Sequence, residues 1–128
     1  MKIYSVGNTL VKEDHASLLL LPKLQLEFPD IEFEEADPNE NFIPEDGSII
    51  IDTVQGIDQV TWFDSLDEFV QIRSVSPHDY DLGFHLRLLQ KLHKISRVTI
   101  LGIPDHGADY LSEVVKKIKE KILLCGNP

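Results

Sequence analysis

The sequence predicts an α/β fold, a three-layer sandwich whose mainly parallel, twisted sheet is flanked by helices. Two observations carry this. The segments Ser48-Ile49-Ile50-Ile51-Asp52 and Val98 to Ile103 are continuous apolar runs, as strands covered on both faces require. Leucine-rich stretches at helical spacing lie around them, and strands alternating with helices assemble into a parallel sheet with helices on its faces. A chain of 128 residues, 42% of them apolar, can bury one core of its own, so residues 1–128 are expected to form a single domain.

Lys2 to Val6 opens the chain as a short strand that ends at the turn pair Gly7-Asn8. Leucines at 18, 19, 20, 21, 24 and 26 are too dense for a half-exposed strand and too extended for a buried one. Ala16 to Leu26 therefore reads as a largely covered helix, capped by Ser17 or Asp14 and stopped by Pro29. Ile31-Glu32-Phe33-Glu34 alternates with period two, which suits a sheet-edge strand with one wet face. Asp37 to Asp46 holds two prolines, two asparagines and four acids, too polar a mix to pack as an element.

Ile49 to Ile51 forms the central strand and delivers Asp52 to its carboxyl end. Val60 to Phe63 and Phe69 to Val75 give weaker strand signals around the polar Asp64 to Glu68, consistent with a hairpin or a strand and a turn. Ser76-Pro77-His78-Asp79 opens a helix that Leu82, Leu86, Leu88, Leu89 and Leu92 continue to about Lys94. Val98 to Ile103 is a strand closed by Pro104, and Tyr110 to Leu124 is an amphipathic helix with its lysines in the second half.

Composition narrows the function classes. The single cysteine, Cys125, excludes a disulfide framework, an iron-sulfur cluster and a cysteine-built zinc site. Its place in the terminal residues, away from any histidine in sequence, argues against a nucleophile. No apolar run is longer than Leu18 to Leu21, and the first residues lack a signal peptide's basic and apolar regions, so a cytoplasmic protein without membrane insertion is expected. The net charge of −10 argues against nucleic acid as partner. Residues 27–81 alone carry −15, against +1 before and +4 after them. That acidic block is either a solvated face or a surface that attracts a metal ion or a basic partner. No self-complementary apolar face stands out, so a monomer is expected.

The signatures of common hydrolases and nucleotide-binding proteins are missing: no G-x-S-x-G elbow, no H-E-x-x-H pair, no phosphate loop and no dinucleotide fingerprint. Acids and histidines remain. In open α/β sheets the site lies in the crevice at the carboxyl ends of the strands. Asp14 follows the first strand, Asp52 ends the central one and His78 precedes a helix, so the three are placed to converge there. Two carboxylates and an imidazole suit a borderline divalent ion such as nickel, zinc or iron with positions left open for a substrate. Taken singly, Asp14 also reads as a helix cap, Asp52 as a strand-end turn former and His78 as a loop residue. His15, His85, His93 and His106 are rivals, of which His85 and His93 sit on a helix and His106 in a turn.

Four segments in order, between residues 3 and 104, carry a resemblance. Gly7-Asn8-Thr9-Leu10-Val11-Lys12-Glu13-Asp14 after the first strand resembles the G-N-x-L-x-x-D-[DE] segment of the hydrogenase maturation endopeptidases. Ile49-Ile50-Ile51-Asp52 is similar to their central strand with its terminal aspartate. Ser76-Pro77-His78-Asp79 with Leu82-Gly83 resembles their S-x-H-x-L-G region with a short insertion, and Leu101-Gly102-Ile103-Pro104 their final strand. The resemblance implies a phosphorylase/hydrolase-like sandwich and an endopeptidase that recognises nickel in the immature large subunit of a nickel-iron hydrogenase and removes its C-terminal tail. Asp14, Asp52 and His78 would then bind the nickel, which the substrate carries, and serve the cleavage; another divalent ion is a candidate occupant in isolation. The general base stays open among Asp37 and the two carboxylates. Two segments depart from the family pattern: His15-Ala16-Ser17 stands where glycines are frequent, and Asp37-Pro38-Asn39-Glu40-Asn41 replaces a glycine-rich turn. A non-catalytic metal-binding or chaperone-like module on the same fold is therefore the alternative, and an acidic interaction domain a third reading.

Overall fold

The computed structural model describes residues 2–6, 15–36, 42–54, 57–64, 82–104 and 110–125. Its elements run β1 (Lys2–Val6), α1 (His15–Glu27), β2 (Glu32–Ala36), β3 (Ile49–Val54), β4 (Thr61–Phe63), α2 (Leu82–Lys91), β5 (Thr99–Pro104) and α3 (Leu111–Cys125). The strands form one sheet in the order β2-β1-β3-β5-β4, parallel throughout except that β4 runs antiparallel to β5. This is the α/β sandwich that the sequence predicts.

The apolar side chains sort onto two faces by strand parity. Tyr4, Val6, Ile50, Val54 and Ile100 meet Leu86 and Leu89 of α2 on one face, with Phe42, Phe63, Ile95 and Val98 closing the layer. Ile3, Ile49, Ile51, Leu101 and Ile103 meet Leu20 and Leu24 of α1 and Val114 and Ile118 of α3 on the other. Every residue of β3 and of β5 is buried, which is why neither shows a wet alternate position. β2 lies at the sheet edge, as its alternation requires, with Glu32, Glu34 and Glu35 exposed. Lys2 of β1 ties that edge down, its Nζ 3.0 Å from Glu34 and 3.8 Å from Glu32.

Some boundaries differ from the sequence reading. α1 begins at His15, so Ser17 lies inside the helix rather than capping it, and Asp14 lies outside the described residues. α1 also contains Pro22, whose missing N–H and bulky ring cost a helix interior about 3 kcal/mol. Burial of Leu20 and Leu24 on either side of it offsets that cost. β2 is shifted by one to two residues, and β3 continues two residues beyond Asp52 because Thr53 and Val54 pair with Ile103 and Pro104.

α2 ends at Lys91 rather than near Lys94. The Lys94 N–H donates to the Leu89 carbonyl (2.9 Å) and the His93 N–H to that of Gln90 (3.1 Å), with His93 at φ 58°. This is a Schellman stop with histidine in the left-handed position that glycine usually takes. α3 continues to Cys125, which therefore belongs to the helix rather than to a frayed tail. Phe69–Val75 and Ser76–Asp79 fall outside the described residues.

Candidate functional site

The topology designates one place in the sheet. β1 leads through α1, on one face, to β2 on its left; the next strand, β3, lies on the opposite side of β1, and α2 covers the other face before β5. The direction of winding thus reverses between β1 and β3, and in such sheets the carboxyl ends of the two strands at the reversal open a crevice for ligand.

Asp52 occupies that position. It is the fourth residue of β3, in register with Val6, the last residue of β1, and with Gly102 of β5. Its side chain shares parity with Ile50 and Val54 and so lies on the α2 face of the sheet, 1% exposed. A buried carboxylate at the end of an otherwise apolar strand is uncommon, since acids are mostly exposed in folded proteins.

Gly102 explains how the level beside it is packed. A Cβ there would lie 2.8 Å from Phe63 Cε2, 3.0 Å from Val54 Cγ2 and 3.3 Å from Ile57 Cδ1. Phe63 from the antiparallel strand therefore fills the volume beside the aspartate that a side chain on β5 would otherwise take. The sequence singles out Gly102 as part of a motif, but only the sheet order shows what its missing side chain accommodates.

Helix direction sets the surroundings of the crevice. The turn after α2 is fastened to the loop before β3 at the amino edge of the sheet: the Gly47 N–H donates to the Arg97 carbonyl (2.9 Å), and Asp46 Oδ1 accepts from the N–H groups of Ser96 (2.6 Å) and Arg97 (3.4 Å). The Ser96 N–H is the main cause that holds the Asp46 carboxyl below its usual value. α2 therefore ends at the amino edge and starts at the carboxyl edge, on the face to which Asp52 belongs. His78 precedes the first residue of α2 by four positions in sequence and Asp14 immediately precedes α1. Asp14, His78 and Asp37 lie outside the described residues, so Asp52 is the one member of the expected triad that the structure places. Among the described residues no group of three metal-ligating side chains is assembled.

The described histidine rivals have structural work. His85 is buried on α2, stacked against Phe42, with Nε2 2.6 Å from the Phe42 carbonyl. A carbonyl only accepts, so that nitrogen carries its hydrogen and is not available to a metal. His93 is the exposed helix stop. His15 is the first residue of α1, and His106 is outside the described residues.

With this geometry in place, comparison with known proteins gives a consistent answer on architecture. No protein-family model and no curated protein matches the sequence. Among solved structures the chain is similar to a hydrogenase 3 maturation protease, at TM-score 0.60 and 19% identity over 94% of this chain and 87% of that one. It is also similar to the NiFe hydrogenase maturation protease HycI from Thermococcus kodakarensis KOD1, at TM-score 0.53 and 15% identity over 94% and 88%. The chain shares the fold of hydrogenase maturation proteases. An uncharacterized protein from Wolinella succinogenes matches 97% of both chains at TM-score 0.64 and 16% identity. Among the described residues no helix is long and apolar enough to cross a membrane.

Proposed function

We propose that this protein is a cytoplasmic endopeptidase of hydrogenase maturation, which recognises nickel in the precursor of a nickel-iron hydrogenase large subunit and removes its C-terminal tail. The observation that carries this reading is the buried Asp52 at the switch point between β1 and β3, in a chain with the fold of two hydrogenase maturation proteases. The sequence adds Asp14, immediately before α1, and His78, four positions before α2.

The chemistry follows from the donor set. Two carboxylates and an imidazole complete the coordination of an ion that the substrate presents with open positions. Gripping the ion fixes the nearby scissile peptide against the crevice, which converts an encounter into a positioned reaction. Hydrolysis then adds one water across the peptide bond, leaving a carboxylate on the large subunit and an amine on the released tail.

The test is to incubate the protein with a nickel-loaded large-subunit precursor and follow tail release by mass spectrometry. Release by the native chain and its loss in Asp52→Asn supports the reading. Nickel-dependent binding of the precursor without release would instead favour a metal-recognising module on the same fold. Neither binding nor release would sink both.

A further inference from the structure

The outer face of α2 has a character opposite to the rest of the molecule. Residues 82–104 contain Arg87, Lys91, Lys94 and Arg97 and no acid, in a chain whose net charge is −10. Leu86 and Leu89 point into the core, whereas Leu88 and Leu92 are 43% and 57% exposed. Residues four apart on a helix are surface neighbours about 5–6 Å apart, so Leu88 and Leu92 form one apolar row beside the row of Arg87 and Lys91. Lys94 and Arg97 extend the positive side along the turn. Among the described residues Lys91, Lys94 and Arg97 make no ion pair.

We propose that this face docks an acidic amphipathic segment of a partner protein, whose apolar side chains cover Leu88 and Leu92 while its carboxylates meet Lys91, Lys94 and Arg97. Charge complementarity selects the occupant. A solvated helix face gains nothing from two exposed leucines, and a purely apolar partner leaves the cations unused. The net negative charge of the whole chain does not forbid an acidic ligand, because at physiological ionic strength fields are screened within about 8 Å and a docked segment senses the local cations.

A second copy of the chain is the weaker occupant. Its acidic strand β2 is a different surface, so the contact would be head-to-tail and open-ended, and Glu32 and Glu34 are already held by Lys2. An anionic membrane is weaker still, since the apolar row is two leucines long. This inference is independent of the peptidase reading.

The test uses the full chain, isotope-labelled for NMR, and a synthetic helical peptide of roughly 18 residues with leucines at i, i+4, i+7 and i+11 and glutamates between them. A shuffled peptide of the same composition is the control. The expected result is saturable binding, one peptide per chain, with shifts at residues 87–97 and weakening as salt rises. The double variants Lys91→Glu/Lys94→Glu and Leu88→Ser/Leu92→Ser, all at exposed positions, should each bind about tenfold more weakly. Equal binding of the shuffled peptide, shifts confined to another face, or no binding overturns the proposal. So does self-association abolished by Leu92→Glu, or retention on phosphatidylserine vesicles in place of peptide binding.

Discussion

Asp52 of β3 sits in register with Gly102 of β5, and the space that a side chain on the glycine would need is already filled by Phe63. The carboxylate and the bare backbone beside it form one packed level at the carboxyl end of the sheet. Phe63 and Val54 are buried, and neither can move aside cheaply. Gly102→Ala is therefore expected to destabilise the protein by about 1–3 kcal/mol through overpacking. Urea unfolding with an unchanged slope checks this; an unaltered midpoint would show that the level is loosely packed.

Asp52→Asn preserves shape while removing the charge. The fold should survive, because an amide is less costly to bury than a carboxylate. Processing of a nickel-loaded precursor should fall by at least about 100-fold, since the interaction that positions the scissile bond is lost. Single-turnover cleavage alongside a circular-dichroism melt separates the two effects.

Two charged groups at the amino edge give the stability a defined pH dependence. Asp46 is held below the usual 3.8 by the N–H groups of Ser96 and Arg97. Its contribution is complete above that ordinary value and is lost as pH falls through the lower folded one. Lys2 is pushed from 10.5 up to about 12, mainly by its hydrogen bond to Glu34, so its contribution is complete below 10.5 and is lost as pH rises toward 12. Unfolding of Asp46→Asn should accordingly differ from the native chain at pH 7, with the difference shrinking below 3.8 and vanishing once pH is under the lowered folded value. Lys2→Met should converge only in the alkaline window.

His93 holds a left-handed backbone conformation at the end of α2 without the freedom glycine has there. His93→Gly should raise stability by about 1 kcal/mol, and His93→Val should lower it, because a branched Cβ resists positive φ. Thermal melts of the two variants should bracket that of the native chain.

The central layer was legible because burial on both faces forces continuous apolar strands, as Ile49 to Ile51 and Thr99 to Ile103 show. The end of α2 was not, since the residue in the stop position is histidine and local sequence carries no glycine signal there. β4 was only partly legible: three residues, Thr61 to Phe63, gain their strand identity from pairing with β5, which is a tertiary effect. Of the site, the apolar run that ends in a carboxylate pointed to Asp52, and the sheet order then placed it at the reversal of winding. Asp14 and His78 rest on motif spacing, because the sequence around them carries no periodicity from which a position can be derived, and both lie outside the described residues.

The most direct measurement is anomalous diffraction from crystals of the full chain soaked with nickel. The account predicts a single peak bonded at about 2.0–2.2 Å to a carboxylate oxygen of Asp14, one of Asp52 and an imidazole nitrogen of His78. A peak ligated elsewhere, or those three side chains ordered too far apart to touch one ion, would contradict it.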